Sequence, residues 1–196
     1  MRTTKKPEER KEEIVQTAKR LFVERGYKRT QIKDIVGAVG VAQGLFYYYF
    51  KSKEDVMEAV AVEYGTKIFC RIRELVNQDI SAIQKLMVIY DFFIDAAQQQ
   101  KALFLEIQNA GGGEVHEKII LDVGGKLIPY ISQIIKEGKK NGELSCEAPD
   151  LVSHFCVSGM IQVLNAVPAD RKIQFMTDNR KIFIGLFVRI LEIKEC

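Results

Sequence analysis

Apolar residues recur along this chain at spacings of three and four, and nowhere do they alternate strictly with polar ones. The first pattern puts side chains on one face of a helix, whereas strict alternation would mark a strand. Ile14, Ala18, Leu21 and Phe22 form the first stripe. Pro7 suits the opening turn of that helix, Glu8 and Glu9 suit the positive end of its dipole, and Gly26 stops it. Tyr27 is expected in the core, with a phosphate contact as the alternative. Thr30 is placed to cap a second helix whose face is Ile32, Ile35, Val36 and Val39, and Gly40 ends it. A third, short helix is expected from Ala42 to Tyr49. Ser52, with Asp55 three residues on, caps a fourth that runs to about Val76.

The pattern continues in the remainder. Helices are expected from Ala82 to Gln99, from Ala102 to Ala110, from Glu114 to Lys140, from Pro149 past Leu164, and from Lys172 to Ile193. About nine helices in an all-α fold is the reading. Gly111, Gly112 and Gly113 make a flexible turn, since the spacing of a phosphate-cradling loop is absent. Gly124, Gly125 and Lys126 come nearer that spacing, but Leu127 occupies the Ser/Thr position and no strand precedes them.

Composition narrows the functional class. The chain has 196 residues, 47% hydrophobic and 28% charged, enough for a sizeable core in one domain or two small ones. No apolar run approaches the ~20 residues of a membrane span, and the N-terminus is polar. A cytoplasmic protein with no membrane partner is expected. Cys70, Cys146, Cys156 and Cys196 are scattered and read as free thiols. His116 and His154 lie in no zinc or catalytic spacing, so no metal, cofactor or enzyme activity is expected. His154 reads as a partly buried histidine satisfied by a neighbour.

Charge changes the picture more. Residues 1–53 hold 13 Lys and Arg against 6 Asp and Glu, a net of +7; the rest holds 16 against 20, a net of −4. A basic front end on an acidic body suits contact with a polyanion at one end. The third helix lies in that basic part. Leu45 and Phe46 point inward, and Gln43, Gly44, Tyr47 and Tyr48 point out. Tyr47, Tyr48 and Tyr49 cannot all be buried, because helical neighbours are about 100° apart around the axis. Phenols and the flanking Lys51 and Lys53 suit phosphates, and a glutamine can read a base edge. The alternative is a core segment with buried rings.

The block G-Y-K-R-T-Q-I-K-D-I-V-G-A-V-G-V-A-Q-G-L-F-Y-Y-Y-F-K-S-K-E-D-V, from Gly26 to Val56, resembles the N-terminal DNA-binding domain of TetR-family transcriptional regulators. The similarity covers roughly residues 10 to 60, and its most specific part is the aromatic run into Phe50-Lys51-Ser52-Lys53. It implies a helix-turn-helix domain over residues 1–52 and a ligand-binding and dimerisation domain over 53–196. It implies DNA contacts by Thr30, Gln43, Gly44, Tyr47, Tyr48, Tyr49 and Lys53, although Gln43 stands where lysine or serine is common.

The last two helices are apolar on more than one face, and such a helix must bury both sides. The resemblance implies a four-helix bundle between two protomers, with Val157 and Ile161 opposite Phe183, Phe187 and Ile190. It also implies a pocket for a small, mostly apolar effector, for which Tyr90, Phe93, Phe104, Gln108, Asn109, His154 and Phe155 are candidates. The helix from Ser52 to Val76 would carry the signal. The expected protein is thus a homodimeric repressor on palindromic double-stranded DNA. The alternative is a helical binding protein or enzyme with an incidental helix-turn-helix.

Overall fold

Local chemistry sets most of the helix ends. Gly26 and Gly40 take positive φ, 87° and 75°, which an L side chain rarely adopts. Ser52 Oγ accepts from the Asp55 amide at 3.1 Å, while the Asp55 carboxylate reaches back to the Lys51 amide at 2.8 Å. Ser81 and Gln84 form a reciprocal capping box. The structure is a computed structural model and describes residues 6–110 and 114–191. The basic arm at residues 1–5, the glycine triplet at 111–113 and the C-terminal residues 192–196, with Cys196, lie outside the described residues.

Among the described residues there are ten α-helices and no strand. They are α1 (Pro7–Arg25), α2 (Ile32–Val39), α3 (Gln43–Tyr49), α4 (Lys53–Val76), α5 (Ala82–Gln99), α6 (Lys101–Asn109), α7 (Glu114–Lys140), α8 (Pro149–Asn165), α9 (Lys172–Asp178) and α10 (Arg180–Ile190). A short 3-10 turn, Ala169–Arg171, precedes α9.

Two expectations need correction. The single final helix is broken at Asn179. Its carboxamide donates to Phe175 O at 2.9 Å, and the Thr177 hydroxyl donates to Ile173 O at 2.9 Å. Side chains that compete for backbone acceptors in this way loosen a helix. Arg180, just past the break, grips Asp91 of α5 with two bonds of 2.6 Å. The second correction concerns the start of α2. Gln31, not Thr30, is the N-cap residue, and its amide donates to Asp34 Oδ2 at 2.8 Å. Thr30 is fully buried, with its hydroxyl turned to Gly26 O and Leu21 O.

The chain forms two compact units. The first takes the residues up to Tyr64 together with Lys101–Ile119. Its core joins Ile14, Ala18, Phe22, Ile35, Phe46 and Val60 to Leu103, Ile107 and Val115. The second takes Gly65–Gln100 and the chain from Ile120 onward. There Tyr90, Ile94, Met176, Phe183 and Ile184 pack together. The Tyr90 hydroxyl donates to Met176 O at 2.9 Å, and burial pushes that phenol up to about 12.

Gly138 of α7 marks the tightest approach in the second unit. A Cβ there would stand 2.6 Å from Ala82 Cβ and 2.8 Å from a Leu144 methyl carbon. Gly138→Ala is therefore expected to destabilise the protein by about 1–3 kcal/mol, read from its thermal unfolding. Gly125→Ala on the same helix meets nothing within 4 Å and should unfold no earlier than wild type.

Candidate nucleic-acid interface

α3 has seven residues, too few for a helix to persist by itself. Phe46 anchors it, fully buried in the first unit's core beside Phe50 at a centroid distance of 5.9 Å. With Phe46 inside, the helical repeat turns Gly44, Tyr47 and Tyr48 to solvent, and Gln43 is exposed at the start of the helix. Tyr47 is 50% exposed and Tyr48 75%, large values for aromatic rings. Each ring is braced edge-on, Tyr47 by Phe46 at 5.5 Å and Tyr48 by Tyr49 at 4.9 Å. Tyr49 is half-buried against the core. These tyrosines offer rigid rings with polar tips at the surface.

Beside α3 lies an open recess of about 470 Å³, with Lys28, Gln31, Lys33, Gln43, Tyr47 and Lys53 on its walls. The sequence reading missed Lys28, Gln31 and Lys33. The available signal was their place in the turn before α2 and in its first residues, off its Ile32–Ile35–Val36 face and within the basic segment. The recess therefore joins two exposed lysines to two glutamines and a phenol, a set that can hold phosphates and reach a base edge.

Two expected contacts look different in the structure. Thr30 has no side-chain surface to offer a phosphate, because its hydroxyl is spent inside the fold. Lys53 is half-committed. Its ammonium donates to Tyr27 O at 2.9 Å and Thr30 O at 3.0 Å, and sits 4.2 Å from the centre of the Tyr27 ring. Burial holds its pKa below the usual lysine value, against the pull of Glu54. An ammonium has three protons, so one remains for the recess.

The candidate ligand residues are divided between the two units. Phe104, Gln108 and Asn109 are on α6 in the first unit. Tyr90 and Phe93 belong to the packed cluster of the second. His154 is exposed rather than partly buried, and Phe155 is 69% exposed on α8. The candidate dimer residues all belong to the second unit. Val157 is 1% exposed, and Phe183 and Phe187 are buried within the second unit. Ile161 packs toward Gly124 of α7. Between α8 and α10 a groove of about 120 Å³ is lined by Phe183, Phe187 and Ile190 of that set together with Phe155, Val163 and Leu186, of which Phe155, Val163, Leu186 and Ile190 are exposed. An apolar count alone cannot tell which side of a helix its own unit covers.

The two roles of Lys53 separate by substitution. Lys53→Ala should cost about 1–2 kcal/mol of stability in chemical denaturation, since it frees two carbonyls from a charged donor. Lys51→Ala removes an exposed charge whose side chain makes no such bond to the α1–α2 turn, and should leave the unfolding curve in place.

Comparison with known proteins agrees with this geometry. The family model for bacterial regulatory proteins of the tetR family matches residues 14–60. The HTH-type transcriptional repressor KstR2 of Mycolicibacterium smegmatis is 30% identical over 100 residues, 51% of this chain and 49% of that protein. The match thus spans about half the length of that relative. The fatty acid metabolism regulator protein of Bacillus subtilis is 27% identical over 135 residues, 67% of this chain and 69% of that one. Among solved structures, a transcriptional regulator from Cytophaga hutchinsonii superposes with a TM-score of 0.72 at 21% identity, covering 94% of this chain and 98% of its own. The fatty acid degradation regulator FadR of Bacillus halodurans gives 0.68 at 22%, covering 96% and 97%. At these identities the structural likenesses speak for the fold. The matched segment, residues 14–60, carries the helix-turn-helix, its exposed tyrosines and the basic recess, and is similar to the DNA-binding part of bacterial regulatory proteins of the tetR family.

Proposed function

We propose that this regulator is a repressor that binds a palindromic operator as a homodimer and leaves it when a small, mostly apolar ligand binds. The observation that carries the DNA reading is the outward set Gln43, Tyr47 and Tyr48 beside a recess walled by lysines. Gln43 is the base reader, since a carboxamide can pair bidentately with adenine in the major groove. Gly44 lets the backbone come close. Tyr47 and Tyr48 contact bases or sugar-phosphate. Lys28, Lys33, Lys51 and the remaining proton of Lys53 hold phosphates, and Tyr49 supports from behind.

Dimerisation follows from scale. A seven-residue helix reads only a few base pairs, and a two-fold dimer doubles the site. The open apolar stripe of Phe155, Val163, Leu186 and Ile190 is the surface that supports it. For the effector, the B. subtilis and B. halodurans relatives are named for fatty acid metabolism and degradation, so fatty acids are the first compounds to try. Tyr90 and Phe93 lie in a packed cluster of the second unit, which a ligand there would have to part. α4 would carry the change to the DNA-binding helices. A ligand can move DNA affinity only by its differential affinity for the two states.

The test begins with selection of bound duplexes from a random library, which should return one palindromic sequence. Gln43→Ala should then cost about 1–3 kcal/mol on the selected duplex and little on random DNA. Equal loss on both would remove the base-reading role. A helix-turn-helix that is incidental would enrich no sequence at all. Leu186→Glu places a charge in the proposed interface and should convert a mass of two chains to one by light scattering. A wild type with the mass of one chain at micromolar concentration would end the dimer reading.

A further inference from the structure

Tyr27, in the turn between α1 and α2, is held from two other helices. Its amide donates to Glu106 Oε2 of α6 at 2.6 Å, across 79 positions of sequence. Its carbonyl accepts from Lys53 of α4 at 2.9 Å, and its hydroxyl donates to Glu54 Oε1 at 3.0 Å. The Glu106 carboxylate also lies against Gly26, with both oxygens 3.9 Å from where a Cβ would stand. α6 is seated in the first unit by Leu103 and Ile107, both buried in the shared core. Tyr27 is 4% exposed, so its amide needs a partner within the fold, and α6 supplies it. A short bond to a charged acceptor is the stronger kind. The turn that Glu106 holds carries Lys28 and leads straight into Gln31 and Lys33, three walls of the recess.

We propose that Glu106 is a positioning residue for DNA binding: from α6 it fixes the α1–α2 turn, and through that turn the placement of Lys28, Gln31 and α2 on the phosphates. The proposal rests on the DNA-binding reading of the recess. Its electrostatic signature runs against expectation for a surface acid. Removing a negative charge near a polyanion by itself strengthens binding. Loss of positioning weakens it.

The experiment compares Glu106→Ala and Glu106→Gln with wild type on the selected duplex, alongside amide hydrogen exchange of the free proteins. Both variants lose the charge, but glutamine keeps a carbonyl acceptor for the Tyr27 amide. Glu106→Ala should bind about tenfold more weakly, while Glu106→Gln binds as wild type or more tightly. In Glu106→Ala, faster exchange should be confined to Tyr27 and the turn after it, with the buried amides of α1 and α4 unchanged. The proposal is overturned if Glu106→Ala binds as wild type, if Glu106→Gln is as weak as Glu106→Ala, or if exchange quickens throughout the unit. Wild-type protein that binds no duplex would overturn the DNA reading itself, and this proposal with it.

Discussion

The burial of Phe46 is the constraint from which the exposed face of α3 follows. A seven-residue helix has no stability of its own, so its side chains point wherever the core contact dictates. Once that ring is enclosed with Phe50, the helical repeat leaves Tyr47 and Tyr48 no inward direction, while Gln43 is exposed at the first position of the helix. The exposed aromatic surface is thus a result of packing on the opposite face. The recess extends the same logic to α2, whose Ile35 and Val36 are buried while Gln31 and Lys33 face out.

Much of this was legible in the sequence, because the signals are local. The stripe Ile14–Ala18–Leu21–Phe22, the stops at Gly26 and Gly40, and the cap at Ser52 act within a turn or two of the chain. They place α1 to α4 within a residue or so. The outward face of α3 was equally readable, since three adjacent tyrosines cannot share one side of a helix. The charge asymmetry pointed to the same end of the chain as the motif.

What was not legible depends on partners distant in sequence. Nothing around Lys53 reveals that its ammonium would be drawn onto two carbonyls of the α1–α2 turn. Thr30 fits a cap by type, but the packing of α1 turns its hydroxyl inward. The break at Asn179 uses short polar side chains that an otherwise apolar run conceals. On α8 the pattern offers two apolar faces, and only the folded second unit shows that Val157 is spent inside while Phe155 is left out. Each miss is a choice between chemically equivalent options that tertiary packing decides.

The first unit is discontinuous in sequence, and this bears on how the protein is made. Residues 65–100 belong elsewhere, so a loop of that length must close before α6 can reach α1. A nascent chain that has emerged only to Tyr64 already carries every residue of the recess. It still lacks Leu103, Ile107 and Val115, which complete the core beneath α1. During synthesis the completed unit therefore waits on the chain as far as Ile119.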